Sequence, residues 1–256
     1  MRRYVFVWCL AVAAAIVATG SAHADQAPIR HLVYNFQITF TTQTTVHSSG
    51  FSGADDPDRR ASGDSTAGVA DVRMGSDDKG TITADVLSVQ PDSGLVVRVS
   101  ERAHEQRSSA PTLCVVYGTG STICDQTHGE LNQEEMALLR LLGRGFINPA
   151  EIDAHKHWEY SSSAAQANEK SDYTITKTDG NVLDVAYQRQ LNVAGTRPFN
   201  SATDGTLAYN QMLNVPLSVN EDTITHRTSL SGNFDKIENR LTLTLATDSL
   251  QTAQNH

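Results

Sequence analysis

Two histidines one residue apart, His155-Lys156-His157, are the clearest metal-type spacing in the chain. On a strand, alternation places residues i and i+2 on one face, so both imidazoles would point the same way, with Glu151 and Asp153 close in sequence. Imidazole nitrogens suit zinc and its neighbours, but such a site needs three or four ligands. No further His or Cys stands at a matching spacing, so the pair reads as exposed strand histidines and no metal is expected. Asp55, Asp56 and Asp58 offer hard oxygens of the kind calcium takes, yet Pro57 interrupts them and the spacing is not that of an EF-hand loop. No phosphate-binding loop, dinucleotide fingerprint or H-E-x-x-H motif occurs, and no cofactor is expected.

The serine of Gly63-Asp64-Ser65-Thr66-Ala67-Gly68 resembles the G-D-S block of secreted esterases and, more remotely, the G-D-S-G-G of trypsin-like proteases. A nucleophilic serine needs a base within hydrogen-bond reach, and the esterase context is a buried strand in an alternating α/β chain. Here a polar loop precedes Ser65, and the one D-x-x-H, Asp125-Gln126-Thr127-His128, lies in mid-chain. A hydrolase built on Ser65 is therefore the lesser alternative, and no catalytic residue is assigned.

Met1-Arg2-Arg3 followed by the apolar run Tyr4 to Thr19 and the Ala22-His23-Ala24 site reads as a signal peptide over 1–24, leaving 25–256 as one β-rich domain. The apolar run is shorter than the roughly 20 residues a membrane helix needs. The expected product is soluble, exported and free in a periplasm or outside the cell. Cys9 leaves with the signal, so Cys114 and Cys124 are the pair expected to form a disulfide in an oxidising compartment. They flank a Gly118-Thr119-Gly120 turn, and pairing Tyr117 with Ser121 would set the two cysteines directly opposite. A formal charge of −9, more negative once Arg2 and Arg3 are lost, argues against binding to nucleic acid or anionic lipid surfaces. At 39% hydrophobic and 19% charged residues the chain is globular rather than disordered. Its 6% aromatic content is too small for the two girdles of an outer-membrane barrel.

The elements that must hold these residues are mostly strands. Leu32, Tyr34, Phe36, Ile38 and Phe40 alternate with Asn35, Gln37 and Thr39. The same period recurs at Leu183, Val185, Tyr187, Leu191 and Val193, and at Leu241, Leu243 and Leu245. Turn chemistry occurs at Lys79-Gly80, Pro91-Asp92-Ser93-Gly94, Asp179-Gly180-Asn181, Asp204-Gly205 and Ser231-Gly232-Asn233. Residues 50–66 carry no periodicity and many breakers, and read as a mobile loop. One helix is predicted over about 132–143, with Asn132 as N-cap and Glu135 as its capping-box partner. Gly143 or Gly145 ends it, and Met136, Leu138, Leu139, Leu141 and Leu142 make its buried face.

A helix of about eleven residues is about 16 Å long, whereas a strand of about sixteen can reach about 50 Å. The apolar face of the sheet must therefore curl around that helix, as a barrel or half-barrel, or keep concave apolar surface for a ligand. The fold class is mainly β: a curved antiparallel sheet wrapped around one α-helix. In strand and helix order, together with the export signal, the chain resembles the half-barrel carriers of lipid and lipoprotein in the periplasm and the mycobacterial lipid-carrier lipoproteins. The resemblance covers most of 31–248, without the lipid anchor common in that group. It implies a non-enzymatic carrier that binds a lipid or acyl ligand in the concave face, near Tyr34, Phe36, Phe40, Leu139 and Leu142. The alternative is an envelope structural or interaction module that docks another protein.

Overall fold

The alternating runs become strands in a computed structural model that describes residues 27–47, 69–103, 108–117, 121–125, 127, 131–143, 147, 150–163, 166–195, 198–228 and 233–250. Five strands come first: β1 (Arg30–His47), β2 (Val69–Val89), β3 (Leu95–Ala103), β4 (Thr112–Val116) and β5 (Thr122–Cys124). The helix α1 (Gln133–Leu141) follows. Six more strands complete the order: β6 (His157–Ser163), β7 (Ala167–Asp179), β8 (Val182–Val193), β9 (Phe199–Asn210), β10 (Val215–Thr228) and β11 (Phe234–Asp248). All eleven belong to one sheet in the order β5-β4-β3-β2-β1-β11-β10-β9-β8-β7-β6. Every pairing is antiparallel, and the curved sheet does not close. The architecture is thus two meanders, one on each side of α1, joined where β1 pairs with β11 from Leu32 opposite Asp248 to Thr45 opposite Phe234.

The helix lies against β3, β10 and β11 inside the curve. Leu32, Tyr34, Phe36, Ile38, Ile82, Val99, Val185, Leu207, Val219, Leu241 and Leu243 point inward onto its Ala137, Leu138, Leu139, Leu141 and Leu142 in one continuous apolar cluster. Its ends form as the sequence predicts. Glu135 reaches back to accept the Asn132 N–H at 2.9 Å, and Gly143 takes φ +80°, a left-handed conformation suited to glycine. The buried face is broader than predicted, since Glu134 and Glu135 are enclosed while Met136 is only half-buried. The carbonyl of Gly143 accepts the Tyr209 hydroxyl at 2.7 Å and its N–H donates to Asn214 O at 3.1 Å, which ties the helix end to the β9–β10 turn.

Two predicted turns are strand interiors instead. Lys79-Gly80 lies within β2, and Asp204-Gly205 within β9. Both glycines serve close approach. A Cβ on Gly80 would lie 2.8 Å from the Phe36 ring and 2.2 Å from the Arg102 carbonyl oxygen, and one on Gly205 would lie 2.2 Å from the Tyr187 ring. Aromatic rings on the neighbouring strands cover both gaps. The turns at 91–94 and 179–181 form where expected. Cys114 pairs directly with Cys124, Tyr117 N–H donates to Ser121 O at 2.8 Å, and the disulfide is present. The predicted signal segment 1–24 and loop 50–66 lie outside the described residues.

Candidate ligand-binding site

The five residues predicted for the concave face do converge on it. Tyr34, Phe36, Leu139 and Leu142 are buried in the packed cluster around α1. Burial raises the Tyr34 phenol well above its ordinary range, and its hydroxyl donates to Pro216 O at 2.9 Å. Phe40 is half-buried and stands where that packing ends. Beyond it the inward positions turn polar: Thr42 and Thr44 on β1, Thr223 and Thr225 on β10, Ser201 and Thr203 on β9.

Open apolar volume is found instead at the other end of the helix. A cavity of about 490 Å³ lies beside Gly143 and is lined by Ile29, Val86, Val89, Leu95, Met212, Leu213 and Leu250, with Arg30, Ser93 and Asn214. That volume is within the range of small-molecule pockets. Ile29, Val89, Met212 and Leu250 are exposed by 56, 59, 57 and 41%, so the mouth is apolar as well as the wall. Arg30 is the one cation in the lining, and it is occupied: two nitrogens meet the Asp248 carboxylate at 3.0 and 2.6 Å and a third donates to Leu213 O at 2.7 Å. Its role is to hold the wall. Sequence reasoning passed over these residues because they sit at strand ends and in the β9–β10 turn. Met212-Leu213, two large apolar residues in a turn, were the available signal. A hollow of about 480 Å³ on the convex side is lined by Asp172, Asp204, Asp222, Asn220 and threonines. Asp204 and Asp222 there accept bonds from Gln188 and Arg240, and the surface suits water.

Two polar clusters flank α1. At its N-terminus Glu101, Glu134 and Glu135 are 5, 6 and 1% exposed, and none of them forms an ion pair with a cation among the described residues. Burial pushes the Glu101 carboxyl from 4.5 up to about 7, against the hydrogen bond from Asn132, and the Glu134 charge adds to the rise. Glu134 and Glu135 are also raised, chiefly by burial. Ser109 links the group, with its hydroxyl donating to Glu135 at 2.8 Å and accepting the Glu101 N–H at 2.7 Å. On the inward face of the sheet Arg189 approaches Glu221 to 3.8 Å, and the Tyr187 hydroxyl donates to Glu221 at 2.6 Å.

The histidine pair does not share a strand face. His155 lies in the turn before β6, because Asp153 captures the N–H groups of both His155 and His157 at 2.8 and 3.0 Å and bends the chain there. His157 comes instead near Glu159 and Asp172 on the outward face, where Lys170 already pairs with both carboxylates at 3.4 and 3.5 Å. Ser65 and His128 lie outside the described residues; Asp125, half-buried beside Cys124, accepts the Thr127 N–H at 3.0 Å.

No protein-family model, no curated protein and no solved structure matches this chain.

Proposed function

We propose that the protein is a non-enzymatic carrier that holds a hydrophobic ligand, an acyl chain or lipid, within the curve of its sheet. The observation that carries this reading is the cavity of about 490 Å³ beside Gly143, with apolar walls and an apolar, solvent-exposed mouth. An apolar vacancy of that size in a water-soluble fold gains free energy on filling, about 25 cal/mol for each Å² of apolar surface removed from water. The only hydrogen-bonding cation in its wall is already satisfied by Asp248, so this cavity recognises length and shape rather than charge. The N-terminal sequence, read as a signal peptide, and the Cys114–Cys124 bridge support an exported protein in an oxidising compartment.

The test is binding of dodecanol, an uncharged twelve-carbon probe, by titration calorimetry. Wild-type protein is expected to bind it, and Met212→Glu, which sets a charge at the mouth on an exposed side chain, to bind at least tenfold more weakly with an unchanged urea midpoint. Equal affinity in the two proteins removes the cavity from consideration, and absence of binding to wild type removes the carrier reading.

A second reading rests on the same four exposed residues. Ile29, Val89, Met212 and Leu250 form an apolar rim that would also dock a partner protein of the envelope. In that case Met212→Glu abolishes a protein contact, while dodecanol binding is absent from the wild type.

A further inference from the structure

Left-handed backbone gathers at the cavity beside Gly143. Among the described residues Ser93, Lys156 and Asn214 are the non-glycine positions with positive φ, and Ser93 at +68° and Asn214 at +54° both line that cavity, together with Gly143 at +80°. Asparagine tolerates this conformation, whereas serine is strained in it and glycine is not. Neither side chain is needed for the turn that carries it. In the β2–β3 turn Asp92 Oδ1 accepts the Gly94 N–H at 3.0 Å, and Ser93 contributes only its backbone N–H, to Gln90 O at 3.0 Å. In the β9–β10 turn Asn210 Oδ1 accepts the N–H groups of Met212 and Leu213 at 3.1 and 3.0 Å, and Asn214 contributes only its carbonyl, to Gly143 N–H. Both residues are half-buried, and neither the Ser93 hydroxyl nor the Asn214 side-chain amide makes a hydrogen bond among the described residues.

Each is a neutral hydrogen-bonding group set into an otherwise apolar wall, and the two come from turns of different meanders. A serine hydroxyl offers one donor and two lone pairs, and an asparagine amide two donors and a carbonyl. A ligand that covers them with hydrocarbon alone strips their water and returns no bond. One whose head both donates and accepts satisfies them. Charged heads fare worse at this place. Arg30 is the one cation in the lining, and it is held by Asp248, whose side chain is fully buried. An anionic head drawn to Arg30 would lie beside that carboxylate, and like charges sharing a site disfavour ionisation. No acidic side chain is in the lining, so a cationic head has no partner either.

We infer, resting on the carrier reading of this cavity, that Ser93 and Asn214 form its head-group site, which takes an alkyl chain ending in an uncharged, hydroxyl-bearing head, a long-chain alcohol or acylglycerol, in preference to a fatty acid.

The experiment compares dodecanol, monolaurin and laurate by titration calorimetry on the full protein at about pH 8, where a carboxylic acid in water is ionised. The proteins are wild type, Ser93→Gly, Asn214→Gly and the double variant. Glycine accepts positive φ, so each variant is expected to fold with a urea midpoint close to that of wild type. Dodecanol and monolaurin are expected to bind wild type about tenfold more tightly than laurate. The double variant is expected to bind both about fivefold more weakly, with laurate affinity unchanged, and each single variant to fall between. Laurate binding to wild type as tightly as dodecanol overturns the head-group site and leaves the carrier reading standing. Wild-type dodecanol affinity in the folded double variant does the same, because the chain is then held without the two side chains. Monolaurin binding no tighter than laurate overturns the uncharged hydroxyl-bearing head as the selected feature. If the double variant fails to fold, the single variants carry the comparison, and wild-type dodecanol affinity in both overturns the site. If none of the three probes binds wild type, the carrier reading falls and the head-group site falls with it.

Discussion

At the scale of single residues, the strongest consequence comes from the three glutamates at the start of α1. Burial and mutual repulsion favour the neutral acid, and Glu101 keeps its proton to about pH 7 in the fold, against about 4.5 when exposed. A carboxyl with a raised native pKa binds more protons folded than unfolded between those values, so stability falls as pH rises through that window. The stabilisation is complete below about pH 4.5 and is lost as pH passes about 7. At about 1.4 kcal/mol per pH unit of displacement, Glu101 contributes at most on the order of 3 kcal/mol. Urea midpoints measured from pH 5 to 8 are expected to decline, and Glu101→Gln, which is neutral throughout and still accepts from Asn132, to flatten the decline. An unchanged slope in that variant would show that Glu101 ionises normally in the fold.

At the scale of elements, β9 shows how a residue type that looks like a turn becomes a strand interior. Glu221, Gly205 and Tyr187 lie in register across β10, β9 and β8. Because Gly205 has no side chain, the Tyr187 ring lies across β9 and its hydroxyl reaches Glu221 two strands away. Gly205→Ala would put a methyl into that ring. It is expected to cost about 1–3 kcal/mol in urea unfolding and to release the Tyr187–Glu221 hydrogen bond. A destabilisation under 0.5 kcal/mol would mean that the ring shifts without penalty. The local residues of Asp204-Gly205 permit either a turn or a covered strand gap, and the choice depends on which residues face the glycine from other strands, which are distant in sequence. Alternation at Leu32–Phe40 and Leu183–Val193, the caps of α1 and the opposed cysteines were legible because each is set by neighbours within a few residues.

At the scale of the whole molecule, two meanders of local hairpins are joined by a single long-range pairing. β1 and β11 meet at the centre of the sheet although 218 residues separate Arg30 from Asp248, whose carboxylate is fully buried. Their two-nitrogen ion pair closes the end of this seam, and the third Arg30 bond, to Leu213 O, fastens the β9–β10 turn to it. Both edges of the open sheet are protected differently: β5 is only three residues long and tied back by the disulfide, and β6 carries His157 and Glu159 on its outer side. The vulnerable point is therefore the seam. Removing the cation while leaving the buried carboxylate costs about 3–5 kcal/mol, because an uncompensated charge remains in the interior. Arg30→Met is expected to lower unfolding stability by that amount, with little relief from added salt, since a buried pair is weakly screened. The double variant Arg30→Met/Asp248→Leu replaces the pair by apolar volume and is expected to recover most of the loss. If the single variant unfolds at the wild-type urea midpoint, the apolar rows of β1 and β11 hold the two meanders together without the ion pair. If the double variant is as unstable as the single one, the cost lies instead in the lost bond to Leu213.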